Sequence, residues 1–204
     1  DRALSLNPGL NGLYFTRGRL RLDDRDFEGA IKDFDRALRL YPQETSGYVW
    51  RATALSELRR FPESVADFDR AIELDPSIWV AHFNRGNARR NLGDFHGAIK
   101  DYTRTMELKP DFADAWSNRG YVRASLRDPE GAVADYTAAL GINPRDASTL
   151  NSRGCIYYEN GRVEEGISDL SRAIEAQPTY AIAFVNRGRA LMSVGRRGLA
   201  IADF

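Results

Sequence analysis

The sequence repeats itself every 34 residues without an insertion or a deletion, and this period constrains the fold more than any other feature. Proline marks the period six times, at Pro8, Pro42, Pro76, Pro110, Pro144 and Pro178. Glycine marks it five times, with alanine in the remaining place, at Gly18, Ala52, Gly86, Gly120, Gly154 and Gly188. We therefore predict a single array over 1–204, made of a partial unit 1–10, full units 11–44, 45–78, 79–112, 113–146 and 147–180, and a partial unit 181–204.

Each unit has the pattern of two short helices. In unit 79–112, small and apolar residues recur at spacings of three and four on either side of Gly93. Asp94 is a good N-cap for the second helix, and Pro110 ends that helix because proline lacks an N–H and clashes with the preceding turn. Since two helices alone cannot bury their apolar stripes, we expect each hairpin to stack on its neighbours.

This pattern resembles the tetratricopeptide repeat. In unit 79–112 the resemblance rests on His82, Gly86, Ala98, Tyr102 and Pro110, with Thr105 in a place where the family prefers alanine. The resemblance covers the whole chain and implies an all-α, right-handed α-solenoid superhelix of stacked antiparallel helix hairpins. The pentatricopeptide repeats of RNA-binding proteins are a neighbouring alternative, but their unit is one residue longer and lacks this proline grid.

The composition argues against nucleic-acid and membrane partners. Lysine plus arginine equal aspartate plus glutamate at 29 each, whereas a nucleic-acid binder usually carries a basic excess. No apolar run approaches the ~20 residues that span a bilayer, which predicts a soluble chain. Cys155 is the single cysteine, so no internal disulfide is expected.

Catalytic chemistry is not indicated either. The two histidines are His82, which takes a place held by aromatic or apolar side chains in the other units, and His96, which we expect to be solvated. Neither forms a nucleophile–base set with Cys155, and no metal-ligand spacing or phosphate-binding loop occurs. The sequence predicts a protein that is not an enzyme and holds no metal or cofactor.

Arginine and aspartate recur at two fixed places. We number each unit from 1, so that its glycine is position 8 and its proline position 32. Position 7 is always arginine: Arg17, Arg51, Arg85, Arg119, Arg153 and Arg187. Position 23 is always aspartate: Asp33, Asp67, Asp101, Asp135, Asp169 and Asp203. Because the turn lies near position 15, the two positions face each other, which predicts partly buried structural ion pairs within a hairpin or shared with the next. The alternative is that these arginines bind an acidic ligand.

The resemblance places a concave peptide-binding groove on the first helices, at positions 2, 5, 6, 9 and 12. Position 6 is asparagine in three units, at Asn84, Asn118 and Asn186, and its amide can donate to and accept from a peptide backbone. The remaining groove candidates are Phe83, Asn87, Arg90, Tyr121, Asn151, Cys155 and Tyr158. The alternative is that the asparagines bond one another along the array and bind nothing.

These observations favour a protein-interaction scaffold that binds a peptide or a partner helix in its groove. A structural alternative is head-to-tail self-association, because 1–6 and Gly198–Phe204 each match half of a second helix and leave apolar edges uncapped. A third possibility is a targeting arm of a larger protein. The expected partner is a protein or peptide, and neither a nucleic acid nor a membrane.

Overall fold

The computed structural model describes residues 12–204, so the predictions made for 1–10 lie outside the described residues. The described residues form twelve helices and no strand, which confirms the all-α class. The helices are α1 (Gly12–Asp23), α2 (Phe27–Leu40), α3 (Thr45–Glu57), α4 (Phe61–Leu74), α5 (Trp79–Asn91), α6 (Phe95–Leu108), α7 (Ala113–Ser125), α8 (Pro129–Ile142), α9 (Ala147–Glu159), α10 (Val163–Ala176), α11 (Ala181–Ser193) and α12 (Arg197–Asp203).

Loops of three or four residues join the helices into hairpins, and the chain divides into an N-terminal unit up to Leu108 and a C-terminal unit from Lys109. In the N-terminal unit the hairpins are α1–α2, α3–α4 and α5–α6, and they stack because α2 packs on α3 and α4 on α5. In the C-terminal unit the hairpins are α7–α8, α9–α10 and α11–α12, with α8 packed on α9 and α10 on α11. The predicted stacking of hairpins is therefore present within each unit.

A large side chain at position 24 forms the centre of each hairpin. Phe34, Phe68, Tyr102, Tyr136 and Leu170 hold this place, and all five are buried. The opposing position 8 must be small, because a Cβ built on Gly86 would lie 2.8 Å from Cε1 of Tyr102. The periodic glycine thus allows the two helices of a hairpin to approach closely.

The turn inside each hairpin needs a left-handed residue at position 15. Glycine holds it in three hairpins, with φ of 80° at Gly93. Arginine holds it in the other three, with φ between 60° and 63° at Arg25, Arg59 and Arg127. A non-glycine residue in this region is strained by about 1 kcal/mol or more. The hairpin therefore imposes the same turn on residues that differ in their conformational preference.

Helix boundaries follow the local signals. The N-cap predicted at Asp94 is confirmed, because Oδ1 of Asp94 accepts a hydrogen bond of 2.9 Å from the backbone N–H of Gly97. Helix α6 ends at Leu108, two residues before Pro110. In this hairpin the cap and the proline therefore mark where α6 begins and ends, after a first helix that carries the predicted groove residue Asn84.

Candidate functional site

The first helices of neighbouring hairpins lie side by side in each unit, α1 beside α3 and α3 beside α5 in one, α7 beside α9 and α9 beside α11 in the other. We call the surface that they form the first-helix face of that unit. Between two such helices a cleft reaches down towards the position-24 side chain. Three of these clefts differ sharply in what fills them.

The cleft between α3 and α5, in the N-terminal unit, is open. It has a volume of 320 Å³, within the range of ligand pockets, which begins near ~300 Å³. Its apolar lining is Phe61, Phe68 and Ala88. Its polar lining is Thr53, Ser56, Glu57, Asn84, Asn87, Arg90 and Asn91. Three predicted groove residues, Asn84, Asn87 and Arg90, are thus brought together here.

Asn84 is the distinctive residue of the α3–α5 cleft. Its side chain is half-buried, and within residues 12–204 its amide forms no hydrogen bond. Position 5 of the preceding hairpin is Val49, whose side chain has no hydrogen-bond acceptor. Both the donor and the acceptor of the Asn84 amide remain available to a ligand.

The side chain of Asn87 is held in place by a residue of α6. Its Oδ1 accepts a hydrogen bond of 2.8 Å from the hydroxyl of Tyr102. Burial raises the pKa of Tyr102 to about 12, so the phenol stays protonated and remains a donor at neutral pH. Phe83 packs on the same ring, with centroids 5.9 Å apart. The α5 side of the cleft is therefore rigidly supported by α6.

The equivalent cleft between α9 and α11, in the C-terminal unit, is nearly closed. Its volume is 60 Å³, and Tyr158, at position 12, lines it and packs against the cluster that contains Leu170. Asn186 also lines it, but its Nδ2 donates a hydrogen bond of 2.9 Å to Oδ1 of Asn151. Asn151 itself is buried. Here a position-6 asparagine is bonded within the protein, to position 5 of the preceding hairpin and not to another position-6 asparagine.

The cleft between α1 and α3 is occupied by a side chain of the protein. Trp50, at position 6, packs on Phe34, with ring centroids 5.9 Å apart, and on Phe15 at 6.2 Å. Phe34 is the position-24 residue of its hairpin, as Phe68 is in the next. Of the other predicted groove residues, Asn118 is half-buried on α7 and Tyr121 is 54% exposed there.

Cys155 lines the small α9–α11 cleft, but it is not an activated thiol. Burial raises its pKa to about 11, so the sulfur remains protonated at neutral pH. His82 is buried and its Nε2 lies 3.1 Å from the carbonyl oxygen of Pro76. Tyr48 and Trp116 donate to the preceding proline carbonyl in the same way, at 3.2 Å. His82 thus continues a packing position, and His96 is exposed.

The six arginines at position 7 each reach the aspartate at position 23 of their own hairpin. Arg51 shows the geometry: Nε and Nη2 donate to the two oxygens of Asp67 at 2.7 and 2.6 Å. The other five pairs are Arg17–Asp33, Arg85–Asp101, Arg119–Asp135, Arg153–Asp169 and Arg187–Asp203. None of these arginines lines the α3–α5 or α9–α11 cleft. Their guanidinium groups are directed at carboxylates rather than at the first-helix face.

Sequence reasoning missed a second contact of these arginines. Nη1 of Arg51 donates to Asp35 at 2.7 Å, and Nη1 of Arg85 donates to Asp69 at 2.6 Å, both at position 25 of the preceding hairpin. Each guanidinium therefore joins two hairpins. The sequence did contain a signal for this second contact, because position 25 is polar in five of the 34-residue repeats. These residues are Asp35, Asp69, Thr103, Thr137 and Ser171.

The buried carboxylate of Asp101 has further partners. Arg89 donates to it at 2.9 Å from position 11, in addition to Arg85. Burial alone would raise the pKa of Asp101, but the nearby His82 ring, with Nδ1 3.8 Å from Oδ1, and the hydrogen bonds from Arg85 outweigh burial and hold that pKa below its usual value. Asp101 is therefore a stable anion at neutral pH, and the arginine at position 11 is a second signal in the sequence for this cluster.

Two further findings concern the described part of the chain. No helix within residues 12–204 is long and apolar enough to cross a bilayer. Among the same residues, no group of three or more His, Cys, Asp or Glu side chains is placed to hold a metal ion.

Comparisons with known proteins agree on one family. The tetratricopeptide repeat family model matches residues 15–77, 83–147 and 151–204. No curated protein matches the chain closely enough to count as a relative. Several solved structures share the fold. A MamA protein is 21% identical, with a TM-score of 0.77 over 84% of this chain and 93% of its own.

Two other solved structures are similar to this chain. YrrB, described as a TPR protein with an unusual peptide-binding site, is 23% identical, with a TM-score of 0.70 over 83% of this chain and 88% of its own. PilF of Pseudomonas aeruginosa is 15% identical, with a TM-score of 0.82 over 95% of this chain and 88% of its own. At these identities the likeness shows the fold alone.

Proposed function

Because the chain belongs to the tetratricopeptide repeat family, we propose that it is a non-catalytic scaffold whose first-helix face binds an extended peptide, with the principal contact in the α3–α5 cleft. The family and fold support a protein-interaction scaffold in general terms. YrrB, a structural neighbour, is described as having a peptide-binding site, which agrees with the proposal without locating a site in this chain.

The observation that carries the proposal is the unbonded amide of Asn84 beside an open cleft. An amide can donate to a peptide carbonyl and accept from a peptide N–H whatever the side chains of that peptide are. The adjacent cleft is large enough to take a side chain from the same segment. Asn84 and the cleft therefore provide the two contacts that a peptide needs, one to its backbone and one to a side chain.

The ion pairs support peptide binding at the cleft because they argue against the alternative, an acidic ligand bound by the position-7 arginines. We propose that the arginines at position 7 hold the hairpins together and do not bind an acidic ligand. Arg85 already donates to both Asp101 and Asp69, which leaves no donor pair for a third carboxylate without breaking an existing contact. Five of the six position-23 carboxylates are buried, as expected for groups that join helices.

The test is a peptide selection on the immobilised chain, followed by titration calorimetry with the selected peptides. Replacing Asn84 by alanine should weaken binding about tenfold, the effect of one or two hydrogen bonds. Asn186→Ala is the matched control, because Asn186 already bonds Asn151, and it should leave affinity within about twofold. Equal affinities for wild type and Asn84→Ala, with unchanged helicity, would contradict the proposal.

A second candidate, self-association, rests on α12. Leu199, Ile201 and Phe204 are 60%, 73% and 70% exposed. Phe204 stands at position 24, and the five other described residues at this position are buried. A second copy could cover this surface by stacking a hairpin on α12. Sedimentation velocity over a hundredfold concentration range would show association if this is correct, and Phe204→Ser should abolish it. A monomer at all concentrations would exclude it.

A further inference from the structure

The clefts of the first-helix face are equivalent by position, so the filled ones show what the open one fits. Each lies between consecutive first helices, above the position-24 side chain, and is bordered by position 6 of one hairpin and position 12 of the hairpin before it. The α1–α3 cleft holds Trp50 from position 6, packed on Phe34. The α9–α11 cleft is narrowed by Tyr158 from position 12, which packs beside Leu170. In both cases an aromatic side chain of the protein occupies part of the cleft.

The α3–α5 cleft lacks such a side chain. Its position 6 is Asn84 and its position 12 is Ser56, both smaller than the aromatic residues that occupy the other two clefts, and Phe68 lies fully buried at its base. The absence of an aromatic side chain accounts for the difference in volume between the two clefts. The α3–α5 cleft measures 320 Å³, whereas the α9–α11 cleft measures only 60 Å³ and has room for a few waters. The residue at its base is of the same kind, because Phe68 stands where Phe34 contacts the Trp50 ring, and the half-buried Phe61 adds an apolar wall.

We infer that the α3–α5 cleft binds an aromatic side chain of the partner peptide, a tryptophan, tyrosine or phenylalanine that supplies in trans the ring that Trp50 and Tyr158 supply in cis. This deepens the proposed function and rests on it. Aromatic residues bury a large apolar area at little conformational cost, and they dominate peptide anchors for that reason. The partner ring packs against the half-buried Phe61, above the buried Phe68, while Asn84 bonds the peptide backbone beside it.

The polar rim narrows the ligand further. Thr53, Ser56, Asn87 and Asn91 place uncharged polar side chains around the cleft, and Glu57 and Arg90 contribute one charge of each sign. A rim of this composition does not favour a strongly acidic or basic segment. The segment that fits is an uncharged one, in extended conformation, with a single aromatic residue as its anchor.

The test uses N-acetyl-tryptophanamide as the probe and N-acetyl-alaninamide as its matched control, with binding followed by NMR at the backbone amides of residues 84–91. The tryptophan probe should bind with a dissociation constant on the order of 1 mM, and the alanine probe should bind at least tenfold more weakly. Equal shifts with the two probes would overturn the inference.

Two variants are designed to fill the α3–α5 cleft with an aromatic side chain of the protein itself. Asn84→Trp copies Trp50, and Ser56→Tyr copies Tyr158 while leaving Asn84 in place. Each should abolish the shifts caused by N-acetyl-tryptophanamide, with helicity and melting temperature retained. Conversely, Tyr158→Ser should open the α9–α11 cleft and create a second set of shifted amides near Leu170. Undiminished probe binding to either variant, with that variant correctly folded, would overturn the inference.

The peptide selection and the probe titration together separate the inference from the function on which it rests. If selected peptides bind in an Asn84-dependent way but contain no aromatic residue, the inference is wrong and the peptide-binding function stands. If the probe binds but no peptide depends on Asn84, the cleft recognises aromatic groups and the proposed function is wrong.

Discussion

The α3–α5 cleft of the N-terminal unit and the α9–α11 cleft of the C-terminal unit occupy the same place in the repeat, yet only the first is open. Both have asparagine at position 6. Asn186 bonds Asn151 at position 5 of the preceding hairpin, whereas that position before Asn84 is Val49, and Asn84 makes no hydrogen bond within the described residues. Side chains at positions 5 and 12 therefore distinguish the open cleft with an unbonded asparagine from the nearly closed one.

The two units also differ in how their hairpins are joined. In the N-terminal unit the position-7 arginines reach carboxylates of the preceding hairpin, Asp35 and Asp69. In the C-terminal unit Arg153 reaches the hydroxyl of Thr137 at 2.9 Å, and Arg187 reaches Ser171 at 3.1 Å. A charged acceptor binds a guanidinium more strongly than a hydroxyl, so the contacts between hairpins are stronger in the N-terminal unit.

The largest expected effect is on stability. Arg85→Ala removes the main partners of Asp101 and Asp69 and leaves Asp101 buried with fewer donors. We expect a loss of about 3–5 kcal/mol in the free energy of unfolding, measured by urea denaturation followed by circular dichroism. Arg153→Ala is the matched change in the C-terminal unit and should cost less, because its second partner is a hydroxyl. The double variant Arg85→Ala/Asp101→Ala should recover part of the loss, and no recovery would contradict the pairing.

Acidification tests the same carboxylate. The pKa of Asp101 is lowered in the folded state, so its ionisation stabilises the fold above the unfolded pKa of ~3.9, and this stabilisation is lost as the pH falls through the lower folded value. Between pH 6 and pH 3 the free energy of unfolding should therefore fall less for Asp101→Asn than for wild type. Asp111→Asn, at an exposed site, is the control and should follow wild type. Parallel curves for wild type and Asp101→Asn would refute the assignment.

A swap at position 5 tests the difference between the clefts without touching Asn84. Val49→Asn should give the Asn84 amide the partner that Asn186 has in Asn151 and so lower peptide affinity about tenfold in titration calorimetry. The reverse change, Asn151→Val, should free Asn186 without affecting peptides bound at the α3–α5 cleft. If Val49→Asn leaves affinity unchanged, the open amide is not the determinant of binding.

The smallest effect concerns the contacts between hairpins. Asp69→Thr gives the N-terminal unit the acceptor of the C-terminal unit, and because Asp69 is 44% exposed we expect a loss of only about 0.5–1 kcal/mol. The loss should shrink in 1 M salt, since salt screens an exposed pair. Thr137→Asp should stabilise the C-terminal unit by a similar amount. If Asp69→Thr costs the same free energy of unfolding in low and high salt, packing rather than charge determines the strength of this contact.

The spacing of small, large and charged residues along the chain is enough to predict each hairpin. The 34-residue period, the cap at Asp94 and the opposition of positions 7 and 23 all depend on helix geometry within a single hairpin. Such contacts link residues close in sequence, where 3.6 residues per turn and a short loop leave little freedom. The hairpins and the facing of Arg85 and Asp101 could therefore be predicted.

Contacts between hairpins could not be predicted in the same way. They depend on how one hairpin is rotated and shifted against the next and on the rotamer that each side chain adopts there, which no local spacing specifies. Thus the sequence by itself determined the hairpins and which helices carry the predicted groove residues. Only the tertiary structure decided that Arg51 also holds Asp35, that Asn151 occupies the amide of Asn186, and that the cleft beside Asn84 stands open.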